Sequence, residues 1–191
     1  DAPTIPAIFL TADPNSLFNP DTGIYVDGGK NKGEGDHWQN YWQDKEIPVF
    51  VELMELNAKK PAFAEKAGLK IFGGSSRSNP KKSVSISFRE KYGAKRLRYP
   101  LFPDFPRLSK FNNFILRNNG NNFSRDYIRD RLASSLSEGL DVDYQRGRFI
   151  VVYYNGEYFG IHDLREKTNE HFLETHHGIE SENVDLVTYS N

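Results

Sequence analysis

The sequence contains no cysteine, which excludes disulfides, thiolate metal sites and a cysteine nucleophile. It also lacks an excess of either charge, with 25 basic and 26 acidic side chains and a formal net charge of -1. This balance argues against a general nucleic-acid or anionic-membrane binder. No apolar run approaches the ~18 residues that a membrane-spanning helix needs, so we expect no membrane span. Any anion site must therefore be local.

Aromatic residues are abundant, at 14 Phe, 10 Tyr and 2 Trp among 191 residues, and they supply material for a core. The length fits one domain, which we assign to residues 1–191, with a long loop-rich segment over residues 11–46. Oxygen-bearing side chains recur in that segment and suggest either calcium binding or turn formation: Asp13, Asn15, Asn19, Asp21 and Asp27. They lack the spacing of a twelve-residue calcium loop and its closing Glu, so turn formation is the favoured interpretation.

Alternating and β-branched runs predict strands over residues 47–56, 68–72, 83–88 and 114–117. In the third run, Val84, Ile86 and Phe88 should face the interior, while the intervening serines face solvent. Asn155-Gly156 lies between two β-rich runs, which predicts a hairpin with a two-residue type I′ turn.

Apolar spacing predicts one principal helix over residues 125–138, with Ser124 as its N-cap and Gly139 as its end. Ile128, Leu132 and Leu136 should form its inward stripe. A second helix is predicted over residues 169–176. Because strands dominate, we predict an α+β fold consisting mainly of an antiparallel sheet with one principal helix.

The segment GLKIFGGSSRSNPKKSVSISF contains the main candidate site. Small residues allow backbone amides to approach one anion closely, and they are Gly73, Gly74, Ser75 and Ser76. Strand parity directs Lys82 inward and Lys81 toward solvent, while Arg77 offers a planar fork for phosphate oxygens. The arrangement is closer to a protein-kinase nucleotide clamp than to a Walker loop. A solvated hairpin turn is the alternative interpretation.

A lysine that faces inward needs a carboxylate partner. Asp126 and Asp130, one helical turn apart, are candidates, although they can equally pair with Arg129 and Arg131. Arg117, at the end of a predicted inner strand, is a candidate for phosphate binding or for a structural ion pair.

Two further groups are weighed and set aside. Four histidines lack the spacing of a helical zinc site, and a solvated helix face is the better interpretation for them: His162, His171, His176 and His177. The aromatic cluster of Trp38, Tyr41 and Trp42 suggests a sugar-stacking platform, although core packing is the commoner fate of such residues. We assign no catalytic residue and no metal ligand.

Taken in order, five blocks of sequence resemble the CotH-type kinase family, named for spore-coat protein H. They are LFNPDTGIYV, GLKIFGGSSRSNPKKSVSISF, YGAKRLRYPLF, FILRNNG with YIRDRLASSL, and YYNGEYFGIHDLREK. The resemblance implies an atypical protein-kinase-like fold, of which this chain would be the N-terminal lobe. It also implies ATP and Mg²⁺ as cofactors and phosphorylation of Ser or Thr in a protein substrate.

Carried over by position, the resemblance puts Arg77 and Lys82 near the nucleotide phosphates, beside the loop of residues 73–76. Asp130 lies in an arginine-aspartate helix pattern, and Glu166, in LREK, lies where the lobes of such a fold join. The family's metal-binding and catalytic-base segments would follow this chain, so we expect it to be inactive alone.

The resemblance and the non-methionine start, Asp1, favour an extracytoplasmic location, whether secreted or at the cell surface. The alternative function is a non-catalytic extracytoplasmic module that binds protein or glycan. We expect no nucleic-acid partner.

Overall fold

The computed structural model describes residues 4–28 and 38–187. Its strands are β1 (Ala7–Thr11), β2 (Glu46–Met54), β3 (Phe63–Phe72), β4 (Ser83–Ser87), β5 (Leu97–Arg98), β6 (Lys110–Phe111), β7 (Asn113–Arg117), β8 (Gly147–Tyr154) and β9 (Glu157–Arg165). Seven of them close into a barrel in the order β1-β2-β3-β4-β7-β9-β8. Neighbours in the barrel are antiparallel except β1 and β8, whose parallel pairing completes the closure. β5 and β6 form a separate two-stranded sheet.

The helices of the described residues are short: α1 (Pro14–Phe18), α2 (Arg129–Ser135) and α3 (Glu170–His177). Two 3-10 turns bear on the site, at Ser75–Ser78 and Gly120–Asn122. No helix in residues 4–28 or 38–187 has the length and apolar character that would let it cross a membrane. The predicted second helix is confirmed as α3, where Asn169 caps the N-terminus by accepting the Phe172 N–H at 3.2 Å.

The predicted fold class is wrong. Apart from the short helices, the described residues form mainly β structure, rather than an α+β kinase N-terminal lobe with one principal helix. Only seven residues of the predicted helix 125–138 are helical, and Ile128 replaces Ser124 at the N-cap position. The backbone at Tyr127, with φ 42°, is left-handed and prevents the helix from beginning earlier. The apolar stripe that was predicted to face the core lies on the surface, with Leu132 54% and Leu136 73% exposed, because strand residues already fill the barrel interior.

The barrel interior contains the core. Val84 and Ile86 on β4, Leu116 on β7 and Leu164 on β9 are fully buried inside it, as alternation along a strand requires. The serine face of β4 is not exposed as predicted, since Ser83 and Ser85 are also buried. A barrel strand normally shows its outer face to solvent, but here the segment after β7 covers the start of β4: Ser83 Oγ donates to Asn118 Oδ1 at 2.9 Å.

The turn between β8 and β9 confirms the hairpin prediction. Asn155 and Gly156 have φ values of 49° and 88°, as a type I′ turn requires. The Asn155 side chain also accepts the Ala12 N–H at 2.9 Å, which ties the hairpin to the end of β1. The loop-rich assignment over residues 11–46 falls partly on residues 29–37, which lie outside the described residues. Within its described part, Asp13 and Asn19 accept backbone N–H groups two residues ahead, as turn-forming side chains do.

Candidate functional site

Two loops leave the same end of the barrel and enclose a pocket. β3 and β7 are both antiparallel to β4, so the ends of β3 and β7 lie beside the start of β4. The loops that follow them therefore meet, around a volume of about 240 Å³ that we call the loop pocket. One side is lined by Gly73, Gly74, Ser75 and Ser76, and the other by Arg117, Asn118, Gly120 and Asn121.

Asn118 holds the two sides of the loop pocket together. Its side chain donates to the carbonyl oxygens of Ser76 at 3.2 Å and of Lys81 at 2.7 Å. The same amide accepts from Ser83 Oγ and from the Gly120 N–H, each at 2.9 Å. Asn118 is fully buried and uses its whole hydrogen-bonding capacity. Sequence reasoning missed this role, because an Asn/Gly cluster reads only as a turn.

Arg117 lines the loop pocket and is held from one side by an ion-pair network. Its Nη2 lies 3.1 Å from Asp130 Oδ2, which also accepts from Arg165 Nη1 at 2.8 Å. Arg165 in turn binds the buried Asp163 through Nη2 at 2.6 Å. Burial raises the pKa of Asp163, and the positive charge of Arg165 opposes this shift. The network orients Arg117 and places predicted residue Asp130 at the site, whereas Asp126 pairs with Arg129 instead.

Lys82 faces inward as its strand parity predicts, but it lies beneath the loop and is not in the pocket wall. The side chain is 4% exposed, and its Nζ donates to the carbonyl oxygens of Arg77 at 2.7 Å and of Asn79 at 3.1 Å. The ammonium also lies 3.8 Å from the centroid of the Tyr41 ring. Burial lowers the pKa of Lys82. Two carbonyls and an aromatic face therefore already surround this cation.

Arg77 is also engaged with the protein itself. It donates through Nε to Gly73 O at 2.5 Å and through Nη1 to Tyr41 O at 3.2 Å. Its guanidinium carbon lies 5.5 Å from the centroid of the Trp42 ring. Arg77 and Lys82 thus shape the loop from below, and their contact with nucleotide phosphates stays a prediction.

Lys81 does not point into solvent as predicted. Its Nζ donates to the Tyr127 hydroxyl at 2.6 Å and to the Ile161 carbonyl at 2.5 Å. It also lies 4.3 Å from the centroid of the Tyr127 ring, and burial lowers the pKa of Lys81 to about 8. Parity correctly places Lys81 on the outer face of the sheet. The left-handed backbone at Tyr127 places an aromatic ring over that face. No sequence pattern predicted this turn.

Glu166 is the predicted site residue that the structure separates from the loop pocket. It is 4% exposed and lies just after β9, where its carboxylate accepts the Arg146 N–H at 2.9 Å and contacts His176 Nε2 at 2.6 Å. Glu166 therefore links β8 and α3.

The groups that were set aside are mostly structural. His162 is fully buried and is not on a solvated face; burial lowers its pKa to about 3, so the ring is neutral. Tyr41 is buried and Trp42 packs against the core, which leaves Trp38 of that cluster exposed. Across the described parts of the chain, no three histidine, cysteine, aspartate or glutamate side chains come together as a possible metal site.

Comparison with known proteins identifies the family of the part of the chain that carries the loops. A search of curated proteins finds no match to the chain. A family model described as CotH kinase protein matches residues 69–191, which include both sides of the loop pocket. This match covers more than half of the 191 residues and confirms the resemblance for the four later sequence blocks, whereas the first block, LFNPDTGIYV, lies outside it. The chain belongs to the CotH kinase protein family.

Proposed function

We propose that this chain forms the phosphate-binding side of a CotH-type protein kinase and holds the phosphates of ATP in the loop pocket. The observation that carries the proposal is the guanidinium of Arg117 in the wall of a small polar pocket, opposite the small residues 73–76. A guanidinium presents N–H donors in a planar fork that matches phosphate oxygens. Glycine and serine leave room for those oxygens to reach backbone N–H groups.

The size of the pocket supports a phosphate tail as the ligand. Its volume of about 240 Å³ lies below the ~300–1,000 Å³ typical of sites that enclose a whole small molecule. An adenosine group would therefore lie outside the loop pocket. The side toward Gly74 is open, because a Cβ built on that residue meets nothing within 4 Å.

The family suggests ATP and metal use by the parent protein, but the residues around the loop pocket do not fit a metal ion. Asp130, the carboxylate nearest Arg117, already binds both Arg117 and Arg165. Mg²⁺ needs several oxygen ligands in octahedral geometry, and we derive no metal-dependent step from these side chains. We propose that this chain contributes nucleotide binding, that the parent phosphorylates Ser or Thr of a protein substrate, and that it acts outside the cytoplasm.

Nucleotide titration tests the proposal. We expect ATP and ADP to bind the chain in calorimetry at low salt, and adenosine to bind at least ~10-fold more weakly. Arg117→Gln should weaken ATP binding by ~10-fold or more, because a hydrogen bond from a charged donor contributes about 1.5–3 kcal/mol. Arg129→Gln is the matched control, since it removes the same charge from an exposed arginine that pairs with Asp126.

Thermal unfolding of both variants shows whether they are folded at the titration temperature. If folded Arg117→Gln binds ATP as tightly as Arg129→Gln does, the phosphates do not lie in the loop pocket. Equal affinity for ATP and adenosine would also refute the proposal, because binding would then not depend on phosphate.

A further inference from the structure

A second polar cleft lies at the opposite end of β4, and we call it the Lys167 cleft. It is lined by the end of β4, the start of β7 and the segment that joins β9 to α3, and its volume is about 470 Å³. Ser83 lines the loop pocket and Ser87 lines this cleft. Four residue steps along a strand correspond to about 13 Å. The two sites are therefore centred on different ends of β4, although the ring centroid of Phe72, which lines the loop pocket, lies 5.9 Å from the Lys167 ammonium.

Lys167 is the distinctive cation of the cleft. It is partly buried, and its ammonium makes no hydrogen bond or ion pair with any residue in the described part of the chain; it lies 5.9 Å from the centroid of the Phe72 ring. Burial lowers the pKa of Lys167, and the nearby charges of Lys70 and Arg89 lower it further; the carboxylates of Glu170 and Glu46, which form no ion pair with it, oppose the shift. Lys70 and Arg89 have carboxylate partners, Asp44 and Glu46. A partly buried cation without a partner is costly unless a ligand supplies the opposite charge.

Three asparagines provide unused hydrogen-bonding groups around this cation. Asn112, Asn113 and Asn169 line the cleft. Asn169 Oδ1 accepts the Phe172 N–H, but its amide NH₂ and the side chains of the other two have no hydrogen-bond partner among the described residues. A carboxamide offers two donors and an acceptor, which is the complement of a peptide backbone.

We propose that the Lys167 cleft binds an acidic peptide segment, with a ligand carboxylate on the Lys167 ammonium and the ligand backbone on the asparagine amides. Arg89 and Lys95 at the cleft attract such a peptide, while Glu90 and Glu170 balance much of their charge. Among the described residues that line the cleft, Lys167 is the cation without an ion-pair partner, so specificity comes from it rather than from a general positive field. This inference does not rest on nucleotide binding in the loop pocket.

Peptide titration measures the effect. The probe is a fluorescein-labelled peptide, Gly-Ser-Glu-Glu-Ser-Gly, and its Gln-Gln counterpart serves as the neutral control in fluorescence anisotropy at low salt. We expect the acidic peptide to bind at least ~10-fold more tightly than the neutral one, and added salt to weaken it. Lys167→Gln should lose at least ~10-fold in affinity. Lys59→Gln, which removes the same charge from an exposed lysine between β2 and β3, should lose less than ~2-fold.

Further measurements separate a binding role from a structural one. Lys167→Gln should unfold at the same urea concentration as the unaltered chain or a higher one, because no internal partner is lost. Asn113→Ala should lower the affinity for the acidic peptide by ~3-fold, while the affinity for free glutamate, measured by competition with the labelled peptide, should stay unchanged. Free glutamate that displaces the probe as effectively as the unlabelled peptide would indicate a small-anion site only and would overturn the proposal, as would equal binding of the two peptides.

Reciprocal titrations distinguish this inference from the proposed function. Lys167→Gln should keep its ATP affinity within ~2-fold, and Arg117→Gln should keep its affinity for the acidic peptide. If Lys167→Gln instead loses ATP binding but not peptide binding, the lysine belongs to the nucleotide site and the peptide proposal is wrong. Failure of ATP binding with retained peptide binding would remove only the proposed function.

Discussion

Replacing Lys82 with methionine tests whether this lysine supports the loop or binds a ligand. Methionine keeps the apolar stem and removes the charge. The variant loses two hydrogen bonds from a charged donor, about 1.5–3 kcal/mol each, and a cation–π contact of about 0.5–2 kcal/mol with Tyr41. Removing a buried charge also relieves a desolvation cost of several kcal/mol. This relief offsets the lost contacts only in part, and we therefore expect a net loss of roughly 1–4 kcal/mol in the free energy of unfolding.

Urea unfolding measures this loss, and ATP titration of the folded variant gives the second readout. Because Lys82 is not in the wall of the loop pocket, ATP affinity should change by less than ~3-fold. Lys59→Met, at an exposed position, controls for the substitution itself. A Lys82→Met variant with unchanged stability and abolished ATP binding would show that the ammonium faces the nucleotide, and the structural reasoning would be wrong.

Two other buried groups give predictions of stability. The pKa of His162 is about 3 in the folded chain against 6.5 for a free imidazole, so between these values the unfolded chain binds one proton more than the folded chain. Stability should therefore decrease as the pH decreases, by up to about 4–5 kcal/mol. In urea unfolding, His162→Leu should lose less stability than the unaltered chain between pH 7 and pH 4, and equal losses would contradict a neutral buried ring. Arg165→Met should cost about 3–5 kcal/mol because it leaves Asp163 buried without its partner. The double variant Arg165→Met with Asp163→Leu should recover most of that loss in thermal unfolding, and a purely additive loss would show that the two residues are not coupled.

Local chemistry made several elements predictable. The Asn155-Gly156 turn follows from the rarity of residues that tolerate left-handed backbone at two successive positions. The strand at Ser83–Ser87 follows from alternation, and Asn169 marks the start of α3 by its capping side chain. The principal helix was overpredicted for a related reason, because apolar spacing near Leu132 is a local signal that the tertiary structure did not use.

Closure of the barrel was not predictable in the same way. β1 and β8 pair in parallel although Ala7 and Val151 are far apart in the chain, and such long-range pairing leaves no periodicity in either segment. β3 begins at Phe63 rather than near residue 68, because β2 continues to pair with it as far as Phe63, whereas β4 pairs only with residues 68–72. An expected kinase-like sheet with a covering helix was therefore replaced by a sheet that closes on itself.

The sequence by itself determined the family and the location of the small-residue loop, because ordered blocks of residues and local turn chemistry are both properties of the linear chain. Only the tertiary structure decided which cations form hydrogen bonds within the loop and which are exposed to a ligand. Strand parity specifies the side of the sheet from which Lys82 projects, but its partners come from the folded loop. Arg117 was a candidate from the sequence, where phosphate binding and a structural ion pair were both open, and Lys167 was not. The pockets that these side chains line have walls from strands and loops distant in sequence, and only those walls determine whether a charge is neutralised within the protein.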